Sequence, residues 1–278
     1  MDPRPHPWNE EFAWQRPTRD GYLVVTADQA DAFHERGYVL IEGVLDAATL
    51  DEVTAAVDER AEATEAFLRQ MPDERLSIAE AGAILFSPHA VLASDVVRRF
   101  AAHPVFAGLC HDLVGDDVRL YWDQLVYKQP EKPRHFPWHQ DNGYTYVEPQ
   151  QYLTCWVPLT DATVDNGCPW IVPGLHLGGT LAHTYVEPLG HQCLEDPVGA
   201  VAVPAAAGSV VVFSSLTPHM TGPNTTDEVR KTYILQYAPD GAERIKGDPS
   251  KGSPTERSRQ NHPDRQFPMV VGGEPVPA

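Results

Sequence analysis

From Val118 onward the chain is a succession of short apolar runs cut by turns rich in Gly, Pro, Asn and Asp. The runs are Val118 to Lys128, Tyr152 to Leu159, Trp170 to Val172, Ala200 to Val203, Ser209 to Phe213 and Thr232 to Tyr237. Segments of this length between helix-breaking residues are strands. Many short strands bury their apolar faces by closing on one another, so the pattern predicts a double-stranded β-helix, the jelly roll of cupin-like proteins. The first hundred residues read differently. Asp28 to Arg36 predicts a short helix ending at Gly37, followed by a strand over Tyr38 to Ile41. Asp46 is an N-cap candidate for a longer helix through Leu50, Val53, Ala56 and Val57 toward Phe67, stopped before Pro72. These helices should pack on one outer sheet, giving a mainly β fold with flanking helices. Ala79 to Pro88 is small and apolar without a clear period, and reads as a cover over a barrel mouth or as an ordinary core loop.

A chain of 278 residues can bury a sizeable core, and one elaborated β domain is expected. Residues 1–25 read as an arm that Trp8, Phe12 and Trp14 could anchor, the alternative being a disordered leader. Residues 26–240 form the jelly-roll domain in this reading, and 241–278 is a polar, proline-rich tail, expected to dock through Met269, Val270 and Val271. A net charge of −18 argues against nucleic acid or an anionic membrane as the main partner. Lys128, Lys132 and Arg134 form a local basic cluster that could override that sign, or a solvated basic loop. Cys110, Cys155, Cys168 and Cys193 show no Cys-x-x-Cys spacing, so a zinc cluster is not indicated and reduced, partly buried thiols are expected. No run approaches a membrane span and no secretory leader is apparent, so a cytoplasmic protein is expected. The sequence is silent on oligomeric state.

The chemistry-bearing segment is Trp138-His139-Gln140-Asp141. On a strand, residues i and i+2 share a face, so His139 and Asp141 could hold one ion while Gln140 points away. A third ligand is then required. Pro218-His219 follows the apolar run Val210 to Phe213, which reads as a buried strand delivering a histidine. Two histidines and a carboxylate make the facial triad of non-haem Fe(II) oxygenases. Arg230 lies eleven residues beyond His219, after a turn-forming stretch, and a hairpin would return it beside the His219 strand. An arginine there can hold a carboxylate bidentately, or pair with Asp227 or Glu228 as an exposed strand residue. His135 and His139 have the i, i+4 spacing of a helical zinc site, but Pro133 and Pro137 deny that segment a regular helix. His176, His183 and His191 are rival third ligands without an arginine at matching distance.

The combination resembles the phytanoyl-CoA dioxygenase family of Fe(II)/2-oxoglutarate oxygenases over roughly residues 26 to 240. Phe33 to Leu45 looks like the opening helix and strand of that family. Trp138-His139-Gln140-Asp141 resembles its metal motif, and Trp156 to Thr163, Asn166-Gly167 and Val172 to His176 its central stretch. His219 and Arg230 follow at its spacing. Leu175 departs from it, standing where a small serine is usual.

The resemblance implies Fe(II) held by His139, Asp141 and His219, with 2-oxoglutarate and O2 as co-substrates and succinate and CO2 as products. Arg230 would pair with the distal carboxylate of 2-oxoglutarate and Thr221 would donate a hydrogen bond to it. Gln124 and Lys128, at i, i+4 on one strand face, would reach co-substrate or substrate. Trp138 and Tyr144 would form pocket walls. Hydroxylation of a small hydrophobic or amphipathic molecule is the leading expectation. Oxidative cyclisation or desaturation on the same scaffold is an alternative, as is a non-catalytic ligand-binding jelly roll. A halogenase is disfavoured by Asp141, because enzymes of that kind carry a small residue in place of the carboxylate.

Overall fold

A computed structural model describes residues 3–277. Two antiparallel sheets face each other as a jelly roll. In the major sheet the strands run in the order Tyr38–Ile41, Val210–Ser214, Leu153–Pro158, Thr232–Pro239, Val118–Lys128, Ile84–Pro88, Ala79–Glu80 and Arg75–Leu76. The minor sheet has the order Val201–Ala202, Pro169–Ile171, His219–Thr221 and Phe136–His139. Strand alternation explains the layering. Leu153, Cys155 and Val157, with Val210 and Val212, and with Tyr233, Leu235 and Tyr237, point out toward the helices and form the largest core cluster with Phe33, Val53, Phe100 and Leu109. The intervening residues Trp156, Val211 and Phe213 point inward and meet Ile171 of the minor sheet. Polar groups interrupt that inner layer: Thr154 and Gln236 on these strands, and Gln124 on Val118–Lys128.

The helices form where the caps allow. Thr26 and Gln29 make a reciprocal capping box for Ala27–Arg36, which places the cap two residues before Asp28. That helix ends at Gly37, whose φ is 85° and where a Cβ would lie 2.5 Å from the Thr217 hydroxyl, so only glycine fits. Asp46 caps Ala47–Leu68 by accepting from the Thr49 N–H at 2.8 Å. Two further helices, Asp95–Ala101 and Pro104–Leu113, were not legible in the sequence and fill the same outer layer.

Three expectations change. Ala79 to Pro88 is neither a loose cover nor a loop. Ile84–Pro88 pairs with Val118–Lys128 and extends the major sheet, which places Ile78 and Phe86 in a cavity wall. Two members of the basic cluster are neutralised locally, Lys132 by Glu74 at 2.8 Å and Arg134 by Glu80 at 2.7 Å. The anticipated hairpin from His219 to Arg230 is absent. The His219 strand lies in the minor sheet, and Arg230 enters the major sheet through an antiparallel bridge to Lys128.

The segment before residue 26 lies against the rest of the protein, apart from Met1 and Asp2, which fall outside the described residues. Trp8 donates its indole N–H to Gly252 O at 2.7 Å, and Trp14 donates to His34 Nδ1 at 3.2 Å. The Asp112 carboxylate accepts from the backbone N–H groups of Leu23, Val24 and Val25. At the other end Pro268–Val271 pairs with Val118–Lys128. All four cysteines are buried and free. Among the described residues no helix is long and apolar enough to cross a membrane.

Candidate metal centre

His139 closes its strand and His219 opens the neighbouring one. The two are direct cross-strand partners, with ring centroids 4.1 Å apart. Each Nδ1 lies by the carbonyl oxygen two residues earlier, Pro137 O at 2.8 Å and Thr217 O at 3.0 Å. A carbonyl only accepts, so Nδ1 carries the proton and the lone pair sits on Nε2. Burial, reinforced by the adjacent His219, pushes the His139 imidazole well below its ordinary range and keeps it neutral, as a ligand must be.

Asp141 arrives differently from the shared strand face expected of it. The strand ends at His139 and Asp141 begins a helical turn, Asp141–Tyr144. The cause lies in Gln140. Its backbone N–H donates to His183 Nε2 at 2.9 Å instead of joining a ladder. Its buried side chain donates to Gly179 O and Leu216 O and accepts from Leu181 N–H. The chain therefore turns, and Asp141 swings back so that Oδ1 lies 3.8 Å from both histidine Nε2 atoms. Oδ2 accepts from the Thr154 hydroxyl at 2.6 Å, which leaves Oδ1 for an ion. Among the described residues this is the one His/Cys/Asp/Glu cluster with ligand atoms all within 4.8 Å of one another. Two imidazoles and one carboxylate on one side of a point suit a divalent iron and leave the other side open.

Arg230 is 1% exposed and pairs with neither Asp227 nor Glu228. Its guanidinium lies 5.2 Å from the Trp156 ring centroid, within the inter-sheet layer. One terminal nitrogen, Nη1, donates to Thr232 Oγ1 and Val126 O, while Nε and Nη2 are buried without any partner. Burial pushes its pKa down to about 9, the direction expected of a cation with no counter-charge. Such a fork fits a carboxylate delivered from outside the protein.

The remaining expected site residues divide. Lys128 is equally buried, but its ammonium donates to Arg134 O at 2.9 Å, Thr221 O at 3.1 Å and Gly222 O. All three donors are occupied, so the co-substrate role expected of Lys128 has no free N–H. It instead ties the end of the His219 strand to the major sheet. Thr221 is buried on the same face of its strand as His219. Gln124 lines a cavity of about 260 Å³ over the metal ligands, together with Phe86, Tyr121, Trp122, Tyr144 and Tyr152. Trp138 packs away from that cavity, in a cluster with Val172 and Leu181. The rival histidines have other work. His183 accepts from Gln140, His176 lies beneath Trp14 with Nε2 by His34 O, and the backbone N–H of His191 donates to the Tyr144 hydroxyl. His135 is exposed. Thr154 and Gln236 were missed. The available signal was a polar side chain inside an otherwise apolar run, Thr154 in Leu153–Pro158 and Gln236 in Thr232–Pro239.

The model of one protein family, phytanoyl-CoA dioxygenase (PhyH), matches residues 33–232. Phytanoyl-CoA dioxygenase of Arabidopsis thaliana is 24% identical over 249 residues, covering 76% of this chain and 88% of that protein. Ectoine dioxygenase of Sphingopyxis alaskensis is 28% identical over 246 residues, covering 77% of this chain and 76% of the relative. The bovine phytanoyl-CoA dioxygenase domain-containing protein 1 is 28% identical, but the match spans only about half of each chain, 53% here and 54% there. Among solved structures, the epimerase SnoN in complex with Fe3+, α-ketoglutarate and nogalamycin RO superposes with a TM-score of 0.66 at 27% identity, covering 87% of this chain and 97% of SnoN. With a family match across most of its length, a jelly roll, a two-histidine, one-carboxylate centre and an unpaired arginine between the sheets, the chain belongs to the phytanoyl-CoA dioxygenase (PhyH) family.

Proposed function

We propose that this protein is an Fe(II)- and 2-oxoglutarate-dependent dioxygenase that hydroxylates an unactivated C–H bond of a small amphipathic molecule, releasing succinate and CO2. The observation that carries the reading is the buried Arg230 fork with two unsatisfied nitrogens, lying over Trp156 in the inter-sheet cluster whose Phe213 packs on His219. His139, Asp141 and His219 hold the iron, and the bound iron with 2-oxoglutarate supplies the oxidising power for C–H cleavage. The residues of this chain do the rest. Arg230 pairs with the distal carboxylate of the co-substrate, with Thr221 as a further donor. Thr154 fixes the rotation of the Asp141 carboxylate. The aromatic wall of Phe86, Tyr121, Trp122 and Tyr152 excludes water and holds an apolar substrate body, while Gln124 and Gln236 supply hydrogen bonds that orient it.

The test is anaerobic titration of the Fe(II) protein with 2-oxoglutarate, followed by succinate release in air. A charge-transfer band and 2-oxoglutarate-dependent succinate support the reading, and both should vanish in His219→Ala, because two ligands do not fix the ion. Succinate formation by His219→Ala at the wild-type rate would reject the assignment of the third ligand. Absence of succinate with any substrate, and of slow uncoupled turnover, would leave only a binding protein. A second outcome, hydrogen removal without oxygen return, is favoured by the 27% identity to the epimerase SnoN. Labelled O2 separates the two, since succinate takes up one labelled atom either way and only hydroxylation carries the other into the oxidised substrate.

A further inference from the structure

Beside the metal cavity lies a second, wider cavity of about 670 Å³, and Tyr144 and Thr145 belong to the walls of both. Its lining includes Arg244 and Lys246, the histidines His6, His183 and His191, and Trp8 and Tyr146, with no carboxylate among them. In a chain with 39 acidic and 21 basic residues, a cavity without an acid stands apart. The charges are unequal. Lys246 is neutralised by Glu256 at 2.9 Å. Burial pushes His6 and His191 below their ordinary range and His183 down to about 4, so all three are neutral near pH 7. Arg244 alone is a cation without a counter-ion.

Its isolation follows from strand geometry. Arg244 lies in Glu243–Lys246, opposite Val147 on one side and Ser258 on the other. The neighbouring Glu243 points the other way, and with Glu148 it binds Arg257, at 3.4 and 2.7 Å. Among the described residues Arg244 makes no side-chain hydrogen bond or ion pair, and its Nε is buried without a partner. An arginine simply reaching into solvent would keep that nitrogen wet. Its field also extends into the metal cavity, where Arg244 is the first influence opposing the burial that raises the Tyr121 hydroxyl to about 12.

We propose that Arg244 recognises a carboxylate on the substrate, so that the molecule oxidised at the metal is a small amphipathic organic acid whose acidic end lies in the second cavity. Its apolar body passes Tyr144 and Thr145 into the aromatic chamber, and the distance from acid to metal selects the carbon that reacts. The proposal rests on the oxygenase reading for its consequence, but the recognition itself is testable separately. The probes are aryl- and cyclohexyl-alkanoic acids of increasing length and their matching primary amides, which share shape and lack charge. Binding is measured by calorimetry to the anaerobic Fe(II) protein with saturating 2-oxoglutarate, which keeps the acids off Arg230, and by displacement of the charge-transfer band. At least one acid should bind tenfold or more tightly than its amide. That preference should disappear in Arg244→Gln, survive partly in Arg244→Lys and persist in Lys246→Gln. Equal binding of acid and amide, no acid bound at all, or a preference that survives Arg244→Gln in a protein with unchanged melting temperature would overturn it. Lack of any charge-transfer band with 2-oxoglutarate in the wild type would instead reject the oxygenase reading, and the calorimetric contrast between acid and amide would still decide the role of Arg244.

Discussion

Lys128 and Arg230 are bridge partners on adjacent strands, each 1% exposed, yet one is fully satisfied and the other is not. The Lys128 ammonium has three backbone acceptors, and the Arg230 fork has two nitrogens with none. Equal burial with unequal pairing separates a cation tied into the protein from one whose fork has no partner inside it. Burial of an unpaired charge costs stability, and it persists where something else returns the interaction.

That contrast yields opposite mutational signatures. Arg230→Met keeps the volume and removes the fork, so 2-oxoglutarate binding should weaken by about 2 to 5 kcal/mol, roughly thirtyfold to several thousandfold, while the urea midpoint holds or rises. Arg230→Lys, retaining charge without the planar geometry, should fall in between. An unchanged dissociation constant for Arg230→Met would break the comparison at its centre. Lys128→Met leaves three carbonyls without a donor, and should cost about 3 kcal/mol of stability in urea unfolding. A neutral Lys128→Met would mean that the pairing with Arg134, Thr221 and Gly222 is incidental.

Two smaller effects sharpen the contrast between metal and co-substrate. Thr154→Val removes the hydrogen bond to Asp141 Oδ2, and Fe(II) affinity should drop roughly tenfold to a hundredfold. The measurement is competition with a fluorescent chelator, and equal affinity would show that the carboxylate is held by the ion alone. Thr221→Val should weaken 2-oxoglutarate by about 0.5 to 1.5 kcal/mol, roughly twofold to tenfold, and leave Fe(II) affinity as it is. A larger change in metal binding than in co-substrate binding would move Thr221 to the iron side of the site.

Much of this was legible in the chain because the strands are short apolar runs bounded by turns rich in Gly, Pro, Asn and Asp. His139, Asp141 and His219 sit at distinctive separations around such runs, so their meeting could be anticipated without coordinates. How they meet could not. The turn that carries Asp141 depends on Gln140 contacting Gly179, Leu181 and Leu216, partners far away in sequence. Lys128 looked like a site residue because position on a strand face says nothing about which carbonyls lie within reach. The two short helices between Asp95 and Leu113 were missed for a related reason, since their apolar faces are defined by the sheet they cover. Arg244 gave no sign at all, because its distinction is the absence of a partner.

The Nδ1 contacts of His139 and His219 have a further consequence. Both rings are aimed by main-chain oxygens two residues back, and Phe136 and Tyr144 pack on His139 and Phe213 on His219, with ring centroids 4.7, 5.2 and 4.4 Å away. A chamber built around such rings can exchange the walls that do not touch them, such as Phe86, Trp122 and Tyr152, without moving the oxygens that aim the histidines. The exception is Asp141, whose rotation depends on the hydroxyl of Thr154. Diversification of the pocket is therefore constrained at Phe136 and Tyr144, which touch His139, and at position 154, where a new substrate preference would collide with the pose of Asp141.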